Sequence, residues 1–250
     1  FIFAAALLTG TFAALRANPS HLAQASLQDD VAVPFTDGVS VMQADDSGIS
    51  FVLNTTSLDY SAEGTITSSG LNVSTQEPGA PELPYFSTYI AVPPEAVVSI
   101  DVLQQEIIRV PGINVQAVAE PTLSFVNSEP DSPFPVTAVS PKPAARTPNL
   151  AVYGNDTLYP NTLFKLSEPV YFRDMRLVKL DLYPIQYKPL QQELEQTQQL
   201  QVNIHFEGAQ LDNLLPATSP NDAYQSTISD MVLNFEQGKA WRSLPLAGQD

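Results

Sequence analysis

The chain has 250 residues, enough for one large all-β domain or two small ones. Its 27 acidic and 11 basic residues give a net charge of -16, which excludes the basic surface that a nucleic-acid partner requires. It has no cysteine, which excludes a disulfide framework, a thiolate metal site and a cysteine nucleophile within the chain; a core of this size is stable in an oxidising compartment without disulfides.

Residues 1–25 read as the tail of a secretory signal peptide, truncated at its amino end. The run Phe1 to Leu15 is almost wholly apolar but shorter than the ~20 residues of a membrane span. Ala23-Gln24-Ala25 follows it as an A-x-A cleavage pattern, so the mature chain is expected to begin near Ser26. The competing reading of this run is a buried or membrane-anchoring helix. Between Ala17 and Ile108 there are twelve Asp and Glu and no Lys or Arg, so this part of the chain presents a neutral to acidic surface.

Residues 31–119 alternate apolar and polar positions in short runs. Examples are Val39-Ser40-Val41, Ile49 to Leu53, Tyr85 to Val92, and Val97 through Ile108. Asp37-Gly38, Asp45-Asp46-Ser47-Gly48, Pro93-Pro94-Glu95 and Pro111-Gly112 punctuate them, which is strand chemistry with hairpin turns. Residues 120–149 change character, with seven prolines and no glycine. Such a stretch forms neither a central strand nor a helix interior and reads as an extended, partly stiff loop. Strands resume at Arg176 to Tyr183 and at Leu200 to Phe206, closed by Glu207-Gly208. The pattern predicts an all-β fold, a jelly-roll-like β-sandwich of antiparallel strands over residues 26–215. Residues 216–250 are expected to form a helix and a linker. Tyr224, Ile228, Met231, Val232 and Phe235 follow helical spacing, and Pro220-Asn221-Asp222 provide a helix start.

Catalytic chemistry is thin. His21 falls in the leader, so His205 is the single histidine of the mature chain; without cysteine it cannot make a usual zinc site. There is no Gly-x-Ser-x-Gly elbow and no phosphate-binding glycine loop. Asp29-Asp30 and Asp45-Asp46 are the obvious acid pairs, in terminal or turn settings where solvated acids are expected. Asp45-Asp46-Ser47-Gly48 lacks the acidic spacing and distal Glu of an EF-hand loop. No cofactor is implied.

Three stretches, in order, carry a family pattern. The first is Gly79-Ala80-Pro81-Glu82-Leu83-Pro84-Tyr85 through Pro93. The second is Leu158-Tyr159-Pro160, then Arg173 to Leu180 and Tyr183-Pro184-Ile185-Gln186-Tyr187-Lys188-Pro189. The third is Val232-Leu233-Asn234-Phe235-Glu236-Gln237 with Trp241. Together they resemble the propeptide of gingipain-type cysteine peptidases. The resemblance implies a non-catalytic module that precedes a caspase-like catalytic domain, helps it fold and keeps it latent until proteolysis releases it. Its partner would be that catalytic domain, in cis. Inhibition in such a family comes from a loop that places a basic side chain in an acidic specificity pocket.

The residues themselves offer a loop of that kind. Lys142 and Arg146 are the only basic residues between Arg109 and Lys165. They stand in Ser140-Pro141-Lys142-Pro143-Ala144-Ala145-Arg146-Thr147-Pro148, and a proline-stiffened segment loses less entropy on docking. Arg146 is preferred, because Lys142 precedes proline. The competing reading is a solvated linker with two incidental charges. A different function, a carbohydrate-binding or adhesive β-sandwich, would need an exposed aromatic platform, to which Tyr153, Tyr159, Tyr171 and Phe172 could contribute.

Overall fold

The computed structural model of the protein describes residues 38–55, 57–120, 125–126, 138–139, 145–212, 214–216 and 222–243. All of them belong to one compact unit, residues 33–250. The expected leader, His21 and Asp29-Asp30 lie outside the described residues. In chain order the elements are β1 (Val39–Asp45), β2 (Gly48–Asn54), β3 (Leu58–Tyr60), β4 (Ile66–Ser68), β5 (Val73–Ser74), β6 (Pro84–Ala91), β7 (Val97–Pro111), β8 (Phe125–Val126) and β9 (Ala138–Val139). They continue with α1 (Leu150–Tyr153), β10 (Phe164–Leu166), β11 (Val170–Phe172), β12 (Met175–Leu182), β13 (Ile185–Lys188), β14 (Glu193–Glu207), β15 (Leu215–Pro216), α2 (Asp222–Met231), α3 (Phe235–Ala240) and β16 (Arg242–Ser243).

The fold is an all-β sandwich. One sheet runs β1-β2-β14-β13, with β7 on the other side of β14. The second runs β10-β12-β6-β5, with β11 also beside β12. Every ladder in both sheets is antiparallel. Period-two alternation decides which side chains meet between them. Ile49, Phe51 and Leu53 of β2 and Leu200, Val202, Ile204 and Phe206 of β14 are buried against Phe86 and Ile90 of β6 and Val178, Leu180 and Leu182 of β12. Burying each such side chain contributes about 1.5–3 kcal/mol.

A second apolar cluster, Ile66, Leu83, Val115, Ile185, Tyr187 and Leu194, forms beside the first. β14 serves both. Its carboxyl half pairs with β2 from Gln199 to His205, and its amino half pairs with β13 from Glu193 to Gln196. β7 follows β14 over the whole length, from Val97↔Glu207 to Pro111↔Glu193. The ladder skips one step, at Glu106, whose φ is +56°. This left-handed residue marks the change from one cluster to the next.

The carboxyl end closes the sandwich. A single helical period through Tyr224–Phe235 would place Met231 inward, but α2 stops there and Met231 is exposed. The chain instead turns to line the free edge of β6. Leu233 N–H donates to Tyr89 O (2.9 Å). The Asn234 amide pairs with both backbone groups of Ala91, accepting from its N–H (2.7 Å) and donating to its carbonyl (2.9 Å). A side chain thus substitutes for a missing strand and satisfies two buried backbone groups. α3 then packs on the sheet through Gly238, where a Cβ would stand 2.5 Å from Ala91 Cβ, so only glycine fits. Trp241 stacks edge-on against Phe206 (5.7 Å) and donates its Nε1–H to Asp46 (2.8 Å). Gln237 donates to Asp45 O. The clasp therefore holds the β1–β2 turn of the opposite sheet as well.

Candidate functional site

The proline-rich stretch leaves and re-enters the sandwich at one place, and a short turn holds both ends. Gly79 adopts φ +79°, a conformation that favours glycine, and a Cβ there would meet Thr147 O at 3.0 Å. The backbone of 79–82 is bonded on two sides. Gly79 N–H donates to Val118 O (3.0 Å), Val118 N–H to Ala80 O (2.8 Å) and Glu82 N–H to Gln116 O (2.9 Å). On the returning side Asn149 N–H donates to Gly79 O (2.8 Å), and Glu120 N–H to Ala145 O (3.0 Å). Asn149 then caps α1 by accepting from Ala151 N–H (2.9 Å). Beyond this stem β8 and β9 pair antiparallel, Phe125↔Val139 and Val126↔Ala138. The described residues thus include both ends of the proline-rich stretch, held at one turn, and a short antiparallel pair within it.

Arg146 sits at the base. Its Nη1 pairs with the Glu82 carboxylate and donates to Ala117 O (2.8 Å), while 42% of the side chain remains exposed. Glu82 also accepts from Gln116 Nε2 (3.2 Å), which in turn donates to Thr65 Oγ1 (2.9 Å). Lys142, the other basic candidate, lies outside the described residues. Sequence reasoning named Arg146 but missed Glu82, a partner 64 positions away; the one available hint was the acid directly after the Gly79-Ala80-Pro81 turn.

A second charged cluster crosses the outer face of the first sheet. Glu195 accepts from Lys188 (2.8 Å) and Arg109 (2.9 Å), with Glu193 beside both cations. Burial alone would raise the Glu195 pKa, but the hydrogen bonds from Lys188 and then Arg109 outweigh it and hold the carboxyl below its usual range. A depressed acid stabilises fully above its unfolded value of about 4.3 and loses that contribution as pH falls through the lower folded value. We expect Glu195→Gln to lower the urea midpoint at pH 7. The variant's further loss of stability on acidification to about pH 3 should be shallower than that of the wild type. Equal acid slopes would show that other carboxylates carry the response.

The remaining candidates make local contacts. His205 stands exposed on β14, its Nε2 3.2 Å from Asp101 Oδ2 on β7. Asp45 accepts from Ser47 and Gln43 side chains and from Ser47 N–H (2.8 Å), hydrogen bonds that lower its pKa, as a closed turn requires. No group of three metal-ligating side chains occurs among the described residues. The four aromatics do not form one platform. Tyr153 donates to Val115 O (3.0 Å) and Tyr159 to Glu77 (3.3 Å), both packed on the second cluster. Tyr171 and Phe172 are exposed on β11, paired with Arg176 and Met175 at the opposite end of β12. No helix among the described residues is long and apolar enough to cross a membrane.

The chain is thus an antiparallel β-sandwich that holds both ends of a proline-rich stretch at one turn. The chain matches Propeptide_C25 over residues 32–241 and belongs to that family, the propeptides of the C25 gingipain-type cysteine peptidases, non-catalytic parts of their zymogens. Solved structures share its fold. The complex of the pro- and mature domains of RgpB from Porphyromonas gingivalis aligns with a TM-score of 0.59 at 18% identity, covering 81% of this chain and 98% of that one. A structure on the zymogenic latency of gingipain K from the same organism aligns with a TM-score of 0.51 at 16% identity, covering 71% of this chain and 96% of that one. No curated protein sequence matches the chain.

Proposed function

We propose that this chain is the intramolecular inhibitor and folding assistant of a secreted C25 cysteine peptidase, removed by proteolysis when the peptidase matures. The observation that carries this reading is the family match across residues 32–241, on a fold shared with a prodomain solved together with its mature domain. The clamped stem supports it, because a loop anchored at both ends loses less freedom on docking. In this reading residues 1–25 are a secretory leader, and the processed chain begins near Ser26, which amino-terminal sequencing of the exported protein would show.

Within the loop, Arg146 is the residue proposed to enter the enzyme's acidic specificity pocket, with Lys142 as the alternative. Docking Arg146 requires it to leave Glu82, an exchange of a partly exposed ion pair for one inside the enzyme's pocket. The test is inhibition of the precursor's own mature domain by the purified chain. Arg146→Ala should weaken inhibition about 30-fold or more, the effect of losing a buried anchor. Glu82→Gln should leave inhibition unchanged or stronger. Equal weakening by both variants would make the pair a structural clamp and move the assignment to Lys142. A wild-type chain that does not inhibit at micromolar concentration would overturn the latency reading itself.

A further inference from the structure

β7 is an edge strand of unusual length. Its 15 residues pair with β14 along one side, and among the described residues nothing pairs with the other. Edge strands in soluble proteins are ordinarily blunted by shortness, proline, lysine or a covering element. Between Val97 and Val110 this strand has neither proline nor lysine. It exposes Leu103 (55%), Ile107 and Ile108 instead. In a chain of net charge -16, the edge carries one cation, Arg109, and two acids, Asp101 and Glu106. It is therefore close to neutral where the rest of the surface is acidic.

The strand is also complementary to itself. Set antiparallel against a second copy about a two-fold axis through Gln105, it places Leu103 opposite Ile107 and Val102 opposite Ile108. Ile100 then faces Val110, Asp101 faces Arg109, and Gln104 faces Glu106. No like charges meet. Each apolar residue between Ile100 and Val110 meets another apolar residue, and Arg109 is exposed enough to take Asp101 of the other copy while holding Glu195. Opposite-charge and apolar cross-strand pairs are those that stabilise a ladder. Such an isologous contact closes on itself, which is the common geometry of homodimers.

We infer that the free edge of β7 is a homodimerisation surface, joining the first sheets of two copies into one continuous antiparallel sheet across a two-fold axis at Gln105. The left-handed residue Glu106 falls one residue from that axis in each copy, so the ladder is divided into two segments flanking the centre. The inference concerns the chain alone and does not depend on its role toward a peptidase.

The absence of native cysteine makes the geometry testable at single positions. Residues directly opposite in an antiparallel pair have Cα atoms roughly 4.5–5.5 Å apart, inside the roughly 4.4–6.8 Å that a disulfide spans. Gln105→Cys should therefore cross-link copy to copy under mild oxidation. Ser99→Cys, equally on the strand but opposite Pro111, should not. In sedimentation equilibrium the wild type should rise from 27.1 kDa toward twice that mass with concentration. Leu103→Lys should raise the dimer dissociation constant at least ~10-fold without changing the melting temperature of the monomer. A wild type that stays monomeric at all concentrations overturns the proposal, as does cross-linking of Ser99→Cys as fast as Gln105→Cys. Dimerisation that Leu103→Lys leaves intact would place the contact elsewhere and overturn it too.

Discussion

Asp174→Ala should be among the most damaging single substitutions in the domain, costing about 3–5 kcal/mol. Arg242 and Asp174 form an ion pair at 3.2 Å with only 8% and 1% of their side chains exposed. Arg242 Nε is already buried without a hydrogen-bond partner. Removing the carboxylate would leave a guanidinium in a site that solvent barely reaches, and that penalty exceeds the net worth of the pair. For a domain of this size the loss corresponds to roughly 10 °C in melting temperature. Trp241, the single tryptophan, lies next to Arg242 against Phe206, so its fluorescence reports the change directly. The double variant Asp174→Leu/Arg242→Met should recover most of the stability, because a matched apolar pair carries no desolvation cost. A double variant as unstable as the single would mean that Asp174 acts through other contacts.

The second large effect is expected at Asn234. Its amide donates to Ala91 O and accepts from Ala91 N–H in a site only 5% exposed. Asn234→Ala strands both backbone groups, at about 1–3 kcal/mol each. Asn234→Asp is the sharper probe. The carboxylate still accepts from Ala91 N–H but faces the carbonyl with a second acceptor and brings a charge into the interior. We expect it to be at least as destabilising as alanine at pH 7 and to recover in acid, where a protonated Asp regains a donor. Urea midpoints at pH 7 and about pH 4 separate the cases, and an Asp variant indifferent to pH would remove the edge-pairing role from this side chain.

Alternation alone made the main strands legible. Ile49 to Leu53, Tyr85 to Val92 and Leu200 to Phe206 alternate because one face of each is buried, and the sandwich follows from packing those faces together. Two things were not legible. Period reports which face is apolar but not who covers it, so the outward-facing Leu177 could not be seen as buried; its sheet is covered at that end by the carboxyl-terminal clasp. Helical spacing likewise ran through Met231 to Phe235, because Val232 and Leu233 are apolar for another reason, namely their seat at the edge of β6. The candidate site was half visible. Composition marked the proline-rich span and its two cations. The turn at Gly79 that clamps it, and the Glu82 that holds Arg146, are contacts between segments far apart in sequence, and no local pattern records them.

The clamp at Gly79 has a consequence for proteolysis. Because Glu120 and Ala145 are bonded to each other and both flanking segments to residues 79–82, the sandwich does not rely on the covalent continuity of residues 121–144. A cut inside that span would break the polypeptide yet leave two fragments locked in the same fold, migrating as one species until denatured. A peptidase that cut within that span would sever the chain while the described segments on either side keep their hydrogen bonds to residues 79–82, so cleavage there and unfolding of the domain are separate events.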